Sequence, residues 1–174
     1  MSNQVCLFNE DNRIIDRSNA VFSECRKYRY ALWRIWDETK PIVMFIGLNP
    51  STANETENDP TIKRVKAIAE SNGFGGFCMM NCWPYIATNP TELKIDAISS
   101  DKNNLMLTTI AAKCEAVVFA WGNFDIVRKT GRDRELQQMF PNAKALHINK
   151  NGSPKHPLYC PKSSVLIPFQ KKQS

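Results

Sequence analysis

Four short stretches of this 174-residue chain carry side chains suited to chemistry, and they offer amides, hydroxyls, aromatics and one imidazole rather than runs of acids or thiols. "GLNPS" (47–51) fixes Asn49 ahead of Pro50 and Ser51, directly after the apolar run Ile42 to Ile46 that includes Phe45. "GFCMMNCWP" (76–84) puts Asn81 and Trp83 behind a second apolar run, and "AVVFAWGN" (116–123) ends a third. "GSPKHPLY" (152–159) brings Ser153, Lys155, His156, Leu158 and Tyr159. An Asn side chain offers a donor and an acceptor on one flat group, which matches the edge of a heterocyclic base. A pocket of amides, aromatics and one His therefore suits a flat heterocycle, stacked on its faces and hydrogen-bonded at its rim.

These residues meet only if the segments between them build an α/β sheet. "YRYALWRIW" (28–36) alternates as a strand, while 42–46, 76–83 and 116–121 are continuously apolar, as strands covered on both faces are. "KALHIN" (144–149) reads as a fourth strand of this core. Helices are expected from the cap Asp59 and Pro60 to Gly73, over 99–114, and over 131–140. The spacing predicts a three-layer α/β/α fold around a central, mainly parallel four-stranded sheet, with an N-terminal hairpin and strand extension; the hairpin turns around Asn9–Asn12. A single domain over 1–174 is expected, with a β extension at 1–40, a core at 41–160 and a mobile tail at 168–174. Ligands of such sheets bind beyond the carboxyl ends of the strands, which gathers the four stretches at one edge.

Composition narrows the partners. Lys and Arg number 23 against 17 Asp and Glu, a net charge of +6 with a pI near 9.1, which favours polyanions such as nucleic acid. No apolar stretch approaches the ~20 residues of a membrane span, and the N-terminus lacks a secretory pattern; a cytoplasmic protein without membrane contact is expected. The six cysteines form no C-x-x-C pair and are expected to be free thiols. Phosphate-loop, dinucleotide-binding, nucleophile-elbow, zinc-protease and zinc-deaminase signatures are all missing from the sequence. Neither a cofactor nor a metal nor an obligate protein partner is expected.

The order of these pieces resembles the uracil-DNA glycosylase superfamily. "MFIGLNPS" is similar to its first motif in the Gly-x-Asn-Pro form of the mismatch-specific branch, and "MMNCWPYIATNP" to its second strand and the Pro-containing loop that follows. "VVFAWG" sits where that superfamily has an apolar strand ending in Gly, and "GSPKHPLY" resembles its His-Pro motif and minor-groove loop. The wider pattern "YRYALWRIW…MFIGLNPSTA…DPTIKR…AWG…GSPKHPLY" more closely resembles a bacterial and phage-associated family long labelled only as a domain of unknown function. Some glycosylases of this kind remove modified bases from viral DNA.

The resemblance implies a monofunctional DNA glycosylase that hydrolyses the N-glycosidic bond of a flipped-out base. Asn49 would hold the attacking water, His156 would donate to the departing base, and Asp59 is a further carboxylate within reach of catalysis. Asn81, Trp83, Phe45 and Pro50 would form the base pocket. Ser51, Ser153 and Lys155 would meet phosphates, and Leu158 or Tyr159 would fill the gap in the duplex. The first motif lacks the Asp that activates water in the strongest uracil glycosylases, and the second reads His-Pro-Leu-Tyr rather than His-Pro-Ser. Both departures imply a larger modified base, such as hydroxymethylated or glucosylated cytosine of phage DNA, ahead of uracil. No catalytic Lys is evident beside the pocket, so no lyase step is expected.

Other readings of the same residues stay open on the sequence alone. Asn49 before Pro is also ordinary turn chemistry, Asn81 also a satisfier of buried main chain, and Asp59 also a helix cap. His147 lies inside a strand pattern and reads as structural. Tyr28, Tyr30, Trp33 and Trp36 read as packing, and Lys63, Arg64 and Lys66 as the wet face of a helix. An inactive nucleic-acid-binding module on the same fold, or a hydrolase of free nucleosides or nucleotides, are the alternative functions.

Overall fold

The computed structural model describes residues 7–11 and 13–169. In chain order the elements are β1 (Ser18–Phe22), β2 (Arg29–Ile35), β3 (Ile42–Gly47), α1 (Pro60–Ser71), β4 (Gly76–Asn81), α2 (Ala97–Ala111), β5 (Ala116–Phe119), α3 (Asp125–Lys129), α4 (Arg132–Met139), β6 (Lys144–Ala145) and β7 (Ile167–Pro168). They form one seven-stranded sheet of order β1-β2-β4-β3-β5-β6-β7.

The α/β class agrees with the sequence, but the sheet is wider and more mixed than the expected four-stranded one. Parallel pairing joins β4 to β3, β3 to β5 and β5 to β6. Antiparallel strands flank both sides: β2 on β4 with β1 beyond it, and β7 on β6. The N-terminal strands are thus integral to the sheet. The tail expected to be mobile from residue 168 is anchored at its start, because Phe169 is buried and its N–H donates to Ala143 O at 2.9 Å. The rest of that tail, 170–174, lies outside the described residues. So does Asn12 of the expected N-terminal hairpin, whose flanks Phe8 and Ile14 form an antiparallel bridge. The fourth strand stops after Ala145 rather than running to 149. Beyond it the chain doubles back, with Asn149 N donating to Ser153 O at 2.8 Å and Ile148 bridging Pro154, which leaves His147 exposed rather than packed.

Alternation along the central strands separates two cores. Ile42, Met44 and Ile46 of β3 join Cys78, Met80 and Phe119 on one face, covered by Leu107 of α2, Val127 of α3 and Leu136 of α4. Val43, Phe45, Phe77, Met79 and Val118 face the other way, onto Ile62, Val65, Ile68 and Ala69 of α1. Those four α1 residues are at most 1% exposed, and full burial of each larger aliphatic side chain stabilises by about 1.5–3 kcal/mol. Helices on both faces of a twisted sheet are what continuous apolar strands require. Trp33 and Tyr30 pack in the first core, as their sequence context predicts, and Tyr28 stacks edge-on against Tyr85. Among the described residues no helix is long and apolar enough to cross a membrane, and Cys25, Cys78, Cys82, Cys114 and Cys160 are free thiols.

Candidate active site

The carboxyl ends of β3 and β4, the segment after β5 and the loop 149–159 enclose a cleft of about 680 Å³. Asn49, Ser51, Asp59, Asn81, Lys155, His156, Leu158 and Tyr159 all line it. Eight of the twelve residues singled out by sequence are therefore together.

Asn49 is held by its nitrogen. Nδ2 donates to Ala87 O at 2.7 Å and to Pro50 O at 3.0 Å, so both amide protons are spent on main chain. The group left to meet a ligand is Oδ1, an acceptor. The Asn-Pro turn supplies one of the two carbonyls itself: Pro50 is buried outside the cleft lining, and its carbonyl also accepts from Ala87 N at 3.0 Å. Its expected contact with a base is corrected to that of a bracket.

Asn81 lies opposite Gly47 in the parallel register of β3 and β4 and is 2% exposed. With its amide oriented for hydrogen bonding, Nδ2 donates to Met80 O at 3.2 Å and Asn49 O at 3.3 Å. The side chain crosses the bare face of Gly47, where a Cβ would come within 2.8 Å of the Met79 methyl and 3.0 Å of the Asn81 amide. Real Cβ atoms do not approach that closely, so the Gly of GLNPS is needed for passage of the neighbouring side chain.

His156 precedes a 3-10 turn (Pro157–Tyr159), and its Nδ1 accepts from Leu158 N at 3.2 Å. That bond places the ring proton on Nε2, which makes His156 a donor toward the cleft. Burial lowers its pKa from 6.5, opposed by the Asp59 charge, which keeps the imidazole neutral at neutral pH. The loop reaches this position because Gly122, at φ +81° just past β5, lets His156 pack close; a Cβ there would sit 3.2 Å from that of His156. Gly122 N also donates to Pro154 O at 3.0 Å. On the far side, Arg64 Nη1 donates to Cys160 O. Arg64, read as part of a wet helix face, instead ties α1 to the His156 loop.

Asp59 is the helix cap that one reading of the sequence expected, and it also faces the cleft. One carboxylate oxygen caps α1 by accepting from Ile62 N at 2.9 Å, the other accepts from Ala53 N at 3.3 Å, and the group lines the cleft.

Three further expectations are corrected. Phe45 and Trp83 are 0% and 3% exposed, packed in opposite cores, and neither lines the cleft. The aromatics that do line it are Phe124 and, at the rim, Tyr159 at 74% exposure. Ser153 is buried, with Oγ donating to Asn151 Oδ1 at 2.6 Å and accepting from Asn149 Nδ2 at 3.0 Å, so its hydroxyl shapes the 149–153 turn rather than meeting a phosphate. Lys150, not singled out by sequence, lines the cleft beside the expected Lys155, so two lysines stand where no amine suited to a lyase step was expected.

Arg29 is the residue that sequence reasoning missed. It opens β2 beside the carboxyl end of β4, with its N–H donating to Pro84 O at 2.8 Å, and it lines the cleft at 2% exposure. Desolvation lowers its pKa to about 10, opposed by the charge of Asp59, so it remains a cation. A signal was present: two arginines interrupt the otherwise apolar run 29–36, and a buried Arg needs a reason.

No group of three or more His, Cys, Asp or Glu among the described residues is placed to hold a metal. Neither curated proteins nor solved structures gave a match to the sequence. A family match does exist, over residues 29–158, and it takes in Arg29, Asn49, Asn81 and His156. By that match the chain belongs to the family described as protein of unknown function (DUF1643).

Proposed function

We propose that the protein is a monofunctional DNA glycosylase that releases a modified cytosine from a flipped-out nucleotide, leaving an abasic site. The observation that carries this reading is the fixed polarity of two cleft residues. Asn49 can only accept toward the cleft and neutral His156 can only donate.

Hydrolysis of an N-glycosidic bond needs that pair of polarities. The C1′–N bond breaks with its electrons moving onto the base, whose oxygen then accepts from His156 Nε2–H. Water, oriented by a hydrogen bond to Asn49 Oδ1, adds to the electron-poor C1′ and loses its proton to solvent. Asp59, tied by two main-chain N–H groups, contributes negative charge near the cationic sugar. Preorganised dipoles of this kind are the main resource of a site without covalent catalysis.

The cleft, about 680 Å³, has room for a flipped nucleotide and for a substituent on its base. Leu158 and Tyr159 stand exposed at its rim, suited to occupy the stack that a flipped nucleotide leaves. Lys150, Lys155 and Ser51 also line the cleft, and their ammonium and hydroxyl groups suit phosphates. Action against phage DNA in the cytoplasm follows from the kind of base proposed.

The test is base release, followed by mass spectrometry, from DNAs containing uracil, hypoxanthine, hydroxymethylcytosine or glucosylated hydroxymethylcytosine. Release of a cytosine derivative by the wild type, lost in Asn49→Ala and His156→Ala, is expected. Borohydride should trap no covalent enzyme–DNA product; a trapped product would assign Lys150 or Lys155 a lyase role. Salt-sensitive DNA binding without release of any base would sink the enzymatic reading in favour of an inactive module. Release from nucleosides alone would point to a ribohydrolase.

A further inference from the structure

Two arginines of β2 are buried, Arg29 and Arg34, and they differ in bonding. Arg34 donates from Nε to Asn58 Oδ1 at 2.9 Å, from Nη1 to Trp33 O at 2.8 Å and Asn19 O at 3.4 Å, and from Nη2 to Asn54 O at 2.6 Å and Glu57 O at 3.2 Å. Its donors are saturated, and it serves the loop that follows GLNPS. Arg29, five residues earlier and 2% exposed, makes a single side-chain bond among the described residues, from Nη1 to Ala53 O at 3.0 Å. Its Nε is buried without an acceptor. A guanidinium carries five donors in a rigid plane, and leaving them unmet in a buried place is costly. Arg34 shows that this sheet can saturate a buried Arg with local carbonyls. At Arg29 the same strand leaves Nε buried and unmet, in a residue that lines the cleft.

We propose that Arg29 is a specificity-determining residue, which reads the paired acceptors of a cytosine ring, O2 and N3, and rejects uracil and thymine. The proposal rests on the glycosylase reading of the same cleft. Cytosine presents two adjacent acceptors, which a guanidinium meets with two parallel N–H groups. Uracil and thymine carry a proton on N3, so a donor would face a donor, and Arg cannot change its protonation to accept. His156 adds another donor, and Asn49 Oδ1 another acceptor, around the same space. The side of the cytosine ring bearing the C5 substituent stays clear of this contact, which fits a site that admits substituents. A bidentate Arg–base contact discriminates by roughly 10- to 100-fold.

The experiment compares wild type with Arg29→Gln and Arg29→Lys on two matched DNA series, and thermal melting first establishes that each variant is folded. In the cleavable series, release rates of hydroxymethylcytosine and uracil are measured from the same sequence context. In the second series the same two bases sit on 2′-fluoroarabinose, which resists hydrolysis, and dissociation constants are measured. Wild type should favour the cytosine derivative in both. Gln can accept from N3–H, so Arg29→Gln should shrink the cytosine-to-uracil ratio at least tenfold. Lys keeps the charge and can still bond Ala53 O but loses the paired geometry, so it should fall between. Folded variants with an unchanged ratio would overturn the proposal and leave Arg29 a structural cation. Wild-type preference for uracil, or for hypoxanthine in the same context, would overturn it too. Absence of release from every DNA would sink the glycosylase reading alone, and the binding ratios would still decide the role of Arg29.

Discussion

Replacing Asn49 with Asp is the sharpest test of how the GLNPS turn works. A carboxylate at this position is the obvious way to activate water more strongly, and chemical intuition favours a gain. The geometry here argues the opposite. Nδ2 of Asn49 makes two bonds, at 2.7 Å to Ala87 O and 3.0 Å to Pro50 O. Aspartate has no donor to replace it, so both bonds vanish and an anionic oxygen faces two carbonyl oxygens. Each lost bond is worth about 1 kcal/mol, and the repulsion adds to that. A loss of about 2–3 kcal/mol is expected in this partly buried place, or roughly 4–12 °C in Tm for a chain of this length. A protonated Asp can donate once, so the folded state of the variant raises that carboxyl's pKa. Stability relative to wild type should then recover as pH falls through the acidic range and worsen as pH rises. Urea unfolding of both proteins at pH 5 and pH 8 measures this directly. An Asn49→Asp protein as stable as wild type at pH 8, or one that gains activity there, would refute the account of Asn49 as a nitrogen-tethered acceptor.

Other expectations follow from the same cleft. His156→Ala should lower base release by about 10²–10³-fold, the usual cost of one donor to a developing anion. In wild type, release should fall as pH drops below 6.5, because the folded pKa lies lower than that value and protonation sets Nδ1–H against Leu158 N–H. The unfolded chain binds the proton first in that window, so stability declines with it, and a pH–rate profile paired with melting curves checks both. Gly47→Ala should cost only about 1 kcal/mol of stability, since the Met79 methyl can swing aside. The same change should cut base release at least tenfold by displacing the Asn81 amide. Arg34→Lys should destabilise by about 2–3 kcal/mol and open residues 53–58 to limited proteolysis, because Lys cannot replace a five-donor fork.

The central strands were legible because burial on both faces leaves an unbroken apolar run, and 42–46, 76–81 and 116–119 carry one. The edges were not. β7 is two residues, one of them Pro, and β6 is two residues of the six-residue segment 144–149 that reads as a strand; pairing partners far along the chain set both lengths. The post-strand rule located Asn49, Asn81 and His156, since strand ends in a parallel core share an edge. It failed for Phe45 and Trp83, where nearness in sequence outweighed direction: Phe45 points into the α1 core by strand parity, and Trp83 turns into the opposite one. Phe124, beyond the same kind of strand end, is an aromatic that does reach the cleft. Arg29 was hidden because a strand pattern gives the face of a residue but not whether its donors find acceptors.

The double tether of Asp59 has a consequence for how this protein can change over generations. Asparagine is ordinarily a good helix cap, yet here the second carboxylate oxygen also receives an N–H, from Ala53. An amide nitrogen in that place would meet a donor with a donor. Serine reaches one partner and drops the other, and glutamate is too long for either. Replacement by Asn or Ser therefore loosens the start of α1 and strips charge from the cleft in one step, whereas Glu would keep the charge and lose the cap.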